Sequence, residues 1–197
     1  SNGNSIGIPA GASIAALVGT HVVANVTANT VTIPVVTTVA GYGKWSTAEE
    51  ATDYIGGYLI FNDITARDIQ RGEMRSGVFS FCKAIDTFCP LGPWIVTPDE
   101  IPDPHDLRME LRVNGEPRQD SNTRHLIFDC FALVEHLSTA FTLEPGDVIS
   151  TGTPGGVGIG MRPPKLLRVG DVVKVEFEGL GALENPVVAE PEATALL

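Results

Sequence analysis

Apolar and polar residues alternate cleanly over Arg108–Val113 and again over residues 172–178, which predicts two half-buried strands. Asn114-Gly115 follows the first of them and is a strong two-residue hairpin signal, so residues 116–119 form the expected return strand. The short apolar run at 58–61 reads as a buried strand leading into Asn62-Asp63, and residues 148–151 as another, ending at Gly152-Thr153-Pro154. Residues 30–40 are mostly β-branched, which also suits strands. Helical periodicity is best at Leu126, Ile127, Cys130, Leu133, Val134 and Leu137, predicting a helix over 122–141. A second helix is expected over 46–58, with Ser46 as N-cap, Glu49 as its capping-box partner and Gly56-Gly57 as the stop. Residues 64–71 suggest a short helix or turn, 98–104 a turn, and 76–90 and 155–164 loops. The chain is therefore expected to be strand-rich and α+β. No repeat or linker divides it, so a single domain is expected over residues 1–197.

Composition narrows the partners. The formal net charge of -11 argues against nucleic acid or an anionic membrane surface, since both need a basic face. It leaves room for a small anionic substrate held by a few local cations. The three cysteines, Cys82, Cys89 and Cys130, form no C-x-x-C pair, which argues against a disulfide framework and for a reducing compartment. No apolar run approaches the roughly 20 residues of a membrane span, and no signal peptide is visible. A cytoplasmic protein is expected. Residues 1–43 carry no Asp, Glu, Lys or Arg. So uncharged a stretch is expected to bury part of its surface against another subunit.

Three segments hold candidate chemistry. Asn62-Asp63 and the following Thr65-Ala66-Arg67-Asp68-Ile69-Gln70 put two carboxylates, a guanidinium and a carboxamide just past a strand end. Asp63 suits a hard divalent cation. Equally, Asp63 and Asp68 could cap the next helix and Arg67 pair with one of them. Lys83 stands among Phe79, Phe81, Cys82 and Ile85, where it either grips an anion or snorkels to the surface. Thr151-Gly152-Thr153-Pro154 opens a glycine-rich loop whose amides and hydroxyls suit a carboxylate, or form a plain turn. Neither a P-loop, a G-x-S-x-G elbow nor an H-E-x-x-H motif is present, and His105 and His136 are expected at the surface.

Taken in order these segments resemble the fumarylacetoacetate hydrolase superfamily. The likeness runs from Asp53-Tyr54-Ile55-Gly56-Gly57-Tyr58 and the Asn62 to Gln70 segment through Lys83-Ala84-Ile85-Asp86-Thr87-Phe88 and Leu91-Gly92-Pro93-Trp94. It continues in Val113-Asn114-Gly115-Glu116, Gln119, Pro145-Gly146-Asp147, Thr151-Gly152-Thr153-Pro154, Gly179-Leu180-Gly181 and Glu184-Asn185-Pro186, covering roughly residues 42–190. The resemblance implies a mixed β-roll and a homodimer or higher homo-oligomer. It implies an enzyme acting on a 2-oxo or 2,4-dioxo acid. Carbon–carbon bond hydrolysis through a metal-stabilised enolate is the expected reaction; decarboxylation and isomerisation are the family alternatives. By the resemblance Asp63 is a ligand of Mg²⁺ or Mn²⁺, Lys83 and Gln70 are catalytic, and Arg67, Thr153 and Gly152 bind substrate. Gly156-Val157-Gly158 with Pro163-Pro164 suggests the acylpyruvase branch.

The chain departs from the pattern at two places, the Glu-x-Glu ligand pair and the upstream catalytic His and Glu. The family's Glu-x-Glu ligand pair lies on a strand ending in Gly-Lys. Counting back from Gly43-Lys44 puts Val35 and Thr37 at the glutamate positions, and His21 does not match the upstream catalytic motif. A metal-free, non-catalytic family member is thus a standing alternative.

Overall fold

A computed structural model describes residues 48–140 and 142–190, together with the backbone of strands at Val22–Ala24 and Pro34–Thr37. The expected cap Ser46, the uncharged stretch outside those two strands, and His21 lie outside the described residues. Among the described residues there are nine strands: β1 (Val22–Ala24), β2 (Pro34–Thr37), β3 (Gly57–Phe61), β4 (Leu91–Val96), β5 (Arg108–Val113), β6 (Glu116–Asn122), β7 (Asp147–Ser150), β8 (Val172–Phe177) and β9 (Gly181–Ala189). Three α-helices accompany them: α1 (Ala48–Ala51), α2 (Arg67–Glu73) and α3 (Cys130–Ala140). The strand-rich α+β expectation holds. None of these helices is long and apolar enough to cross a membrane.

The strands form two sheets. One runs β1-β9-β8-β5-β6, antiparallel except for the parallel β1–β9 pair; the other runs β4-β3-β2-β7 and is antiparallel throughout. Alternation supplies the core of the first sheet: Met109, Leu111 and Val113 on β5 face the same way as Val173, Val175 and Phe177 on β8. In β3, Tyr58, Leu59 and Ile60 are all buried, so this strand is covered on both faces. Ile64, Phe88 and Val134 complete the same cluster. Asn114 (φ 52) and Gly115 (φ 80) both adopt the left-handed conformation that the predicted hairpin turn requires.

Four expectations change. Helix α3 begins at Cys130, not at 122. Residues up to Asn122 belong to β6, and Thr123 exchanges bonds with Leu107, its amide donating to the Leu107 carbonyl and its Oγ1 accepting the Leu107 N–H. Asp129 then accepts the Ala132 N–H and caps the helix. The helix expected over 46–58 stops at Ala51, tightens into a 3-10 turn and turns extended at Ile55, because Gly57 is already paired in β3. Strands β4 and β9 were hidden by Gly92-Pro93 and Asn185-Pro186. β4 lies at a sheet edge, where proline is tolerated, and Pro186 precedes the β1 ladder, which starts at Val187. Finally, His105 is half-buried: its Nε2 accepts the Cys130 N–H at 3.1 Å and its ring meets Phe131 edge-on.

Candidate active site

The chain past β3 stays extended because it pairs with residues 82–90. Asn62 donates to the Pro90 carbonyl, Ile64 to Phe88 and Ala66 to Cys82, at 3.0, 3.1 and 2.8 Å. This pairing brings Lys83 opposite Asp63. The Lys83 ammonium donates to Asp63 Oδ2 and, at 2.9 Å, to Thr65 Oγ1. Asp63 and Thr65 are two residues apart on an extended strand, so they share one face. The pair is partly shielded, with side chains 17% and 32% exposed for Asp63 and Lys83. That rules out the snorkelling reading of Lys83.

Nor does either aspartate cap α2. Its N-cap is Ala66, which makes no side-chain capping bond, and Asp68 pairs with Arg71 on the surface. Arg67 is buried and gives Nη1 to Gln70 Oε1 at 2.8 Å. Burial lowers the pKa of its guanidinium, and the nearby Asp63 charge pushes it back up. Asp63, Thr65, Lys83, Arg67 and Gln70 thus form one polar group at the end of β3.

Thr151-Gly152-Thr153-Pro154 lines a separate cleft of about 280 Å³. Its other walls include Ser121, His125, Ile127 and Phe128; Asp63 and Lys83 are not among them. The loop is fastened by Gln119 on β6, which is 3% exposed. Gln119 Nε2 donates to Thr153 Oγ1 at 3.2 Å, to the Pro154 carbonyl at 2.9 Å and to the Gly155 carbonyl at 3.3 Å. Gly156 makes the approach possible. Its φ is +102°, and a Cβ there would lie 2.1 Å from the Arg118 carbonyl oxygen. Ser121 Oγ and His125 Nδ1 lie 3.3 Å apart in the same cleft.

Sequence reasoning gave no role to Thr65, Gln119, Ser121 or His125. Period-two spacing from Asp63 was available to find Thr65. For Gln119 the only sequence signal was its place in the ordered motif set.

Comparison with known proteins follows this geometry. The fumarylacetoacetate (FAA) hydrolase C-terminal family matches residues 18–188. The mitochondrial oxaloacetate tautomerase fahd2 of Xenopus laevis is 47% identical over 146 residues, covering 74% of this chain and 46% of that protein. The fumarylacetoacetate hydrolase of Exiguobacterium antarcticum superposes with a TM-score of 0.77 at 42% identity, over 84% of this chain and 58% of that one. Maleylpyruvate hydrolase of Sphingobium sp. SYK-6, solved with manganese(II) and pyruvate, gives 0.74 at 31% identity, over 88% and 61%. The chain spans about half the length of the relatives it matches.

Divalent metal thus occurs in the family, but the residues present do not fit a centre of the expected kind. Of the three carboxylates, this chain supplies Asp63, and that one is engaged by Lys83. Val35 and Thr37 do occupy a strand, β2, in the sheet of β3, opposite Tyr58 for Val35; their side chains are outside the described residues, and neither is a carboxylate. Among the described residues no three His, Cys, Asp or Glu side chains gather to hold a metal. Sequence pattern, fold and relatives agree on the remaining point: the chain belongs to the fumarylacetoacetate hydrolase family.

Proposed function

We propose that this single mixed β-roll domain acts on a small 2-oxo acid by enolate chemistry, with keto–enol tautomerisation as its reaction. The carrying observation is the half-buried Lys83 ammonium, fixed between Asp63 and Thr65. A cation held there can hydrogen-bond the 2-oxo oxygen and stabilise the enolate charge while one proton passes between C3 and solvent water and another between water and the 2-oxo oxygen. Asp63 and Thr65 together keep the lysine aimed. Arg67, oriented by Gln70, adds a second cation to the same group. Thr153 and Gly152 line a different cleft from Lys83, and it is the family resemblance that assigns their hydroxyl and amide to the substrate carboxylate. Tautomerisation asks least of these residues, because it needs neither an attacking water nor a leaving group. The Xenopus relative, named an oxaloacetate tautomerase, supports the choice.

Hydrolysis of a 2,4-dioxo acid is the second reading, favoured by the likeness to maleylpyruvate hydrolase. It uses the same cation to stabilise the enolate that leaves when the C–C bond breaks.

The test follows the ultraviolet absorbance of enol-oxaloacetate and of a 2,4-dioxo acid, with wild type, Lys83→Met and Asp63→Asn. Wild type accelerates enol decay, Lys83→Met loses roughly 10²–10³-fold in kcat, and chelator leaves the rate unchanged. Wild-type protein that decays neither compound, with or without Mg²⁺, overturns the proposal. Decay of the dioxo acid alone selects hydrolysis.

A further inference from the structure

We propose that Glu73 is the positioning residue of Lys83: its carboxylate holds the chain turn that delivers the lysine to Asp63. This inference rests on the role given to Lys83 above. Glu73 is the last residue of α2. Seven to nine residues later the chain folds back, and successive amides converge on that one carboxylate. Oε1 accepts the Phe81 N–H at 2.8 Å and both the N–H and the hydroxyl of Ser80 at 3.4 Å; Oε2 accepts the Cys82 N–H at 3.0 Å. Consecutive amides aimed at one point make an anion-binding concavity, here filled from within the chain.

Backbone bonds close the stretch locally, the Ser76 N–H donating to the Glu73 carbonyl at 2.9 Å and the Lys83 N–H to the Ser80 carbonyl at 3.1 Å, while the Glu73 carboxylate ties residues 80–82 back to α2. Met74, Val78, Phe79 and Phe81 are all largely exposed, at 61, 58, 47 and 64%, so apolar burial does not fix residues 74–81. The first residue after the turn to enter the core is Cys82, fully buried, whose carbonyl accepts the Ala66 N–H. Lys83 is next. Its backbone is thus bracketed by the Glu73 carboxylate before it and the pairing with the Asp63 strand beside it. The Cys82 thiol joins the same carboxylate. Burial first, then Glu73 itself, push that thiol up to about 11, so it stays protonated and donates. Lysine carries its charge on a flexible four-carbon stem, so its aim depends on where the backbone sits.

The experiment compares wild type, Glu73→Ala and Glu73→Gln by two readouts: amide hydrogen exchange at residues 80–82, and kcat against KM on the enol substrate. In Glu73→Ala, exchange at 80–82 quickens at least tenfold, kcat falls roughly ten- to a hundredfold, and KM stays within about twofold. Glu73→Gln keeps one acceptor oxygen and falls in between. It also carries the test if the alanine variant does not fold. Faster exchange with unchanged kcat overturns the inference, because the carboxylate is then only structural. Unchanged exchange overturns it as well. If wild type turns over no 2-oxo acid, the proposed function fails separately. Side-chain order of Lys83 is then read by NMR relaxation: a more mobile Lys83 in Glu73→Ala upholds the positioning, and an unchanged one sinks it.

Discussion

The two halves of the site are held by opposite means. On the Lys83 side the functional group sits past an irregular turn, and a charged side chain, Glu73, gathers the turn's amides. On the Thr153 side the functional group is itself on a loop, and a neutral carboxamide, Gln119, reaches out from strand β6 to gather that loop's carbonyls and hydroxyl. One side is donors around an acceptor, the other acceptors around a donor. The carboxylate titrates and the carboxamide does not. The strand holding Gln119 is fixed by an antiparallel ladder with β5, broken only by a register shift between Leu111 and Arg112, whereas Glu73 stands at the end of a seven-residue helix. The grip on substrate should therefore be insensitive to acid and the aim of Lys83 sensitive to it.

Removing the neutral clamp should weaken the grip on substrate. Gln119→Leu keeps the volume and deletes a buried NH2 donor shared among three acceptors. The loop then loses this fastening to β6, and the Thr153 hydroxyl loses one of the contacts that orient it. We expect KM to rise about tenfold with kcat within about twofold, since substrate grip is lost before transition-state stabilisation. Stability should drop by about 1–3 kcal/mol, read by denaturant unfolding. A fall in kcat with constant KM would mean that the two halves are not separable.

Acid should then divide them. Bonds from Cys82, the thiol first, oppose a desolvation cost, and together with the Phe81 and Ser80 amides they hold the Glu73 carboxyl at about 2, below its ordinary value of 4.5. A carboxyl with a depressed folded pKa contributes stability that is complete above its unfolded value and is lost as pH falls through the folded one. Amide protection at residues 80–82 should thus hold above about pH 4.5 and fade between there and about 2. Protection along Glu116–Asn122 should not follow the same curve. Coincident loss of both, measured by hydrogen exchange across that range, would erase the distinction.

Much of the first sheet was legible from sequence, and the reason is local. β5, the Asn114-Gly115 turn and β8 follow from period-two alternation and turn chemistry alone, and Arg108–Val113 is found as expected. Asp63 was legible as a candidate because it follows a recognisable strand, and Lys83 because it stands among the apolar residues Phe79, Phe81, Cys82 and Ile85. Their bonding was not, since it depends on pairing between residues 62–66 and 82–90 across an irregular stretch. Glu73 left no signal at all: a glutamate at the end of a short helix looks like any solvated charge until the chain returns to it.

The misread helix gives the smallest prediction and tests the cleft wall. Periodicity assigns Ile127 to the buried face of a helix over 122–141. There, Ile127→Ala would cost about 2–5 kcal/mol. In the structure Ile127 precedes α3 and is 91% exposed on the wall of the cleft that Thr153 lines, whereas Val134 on α3 is fully buried. The substitution should therefore change stability by no more than about 0.5 kcal/mol. Because the side chain lines the cleft without belonging to either clamp, kcat should hold and KM should shift at most about twofold. A loss above about 2 kcal/mol by denaturant unfolding would put Ile127 in the core and restore the longer helix. A loss confined to KM would extend the substrate grip from the Thr153 loop to the wall that faces it.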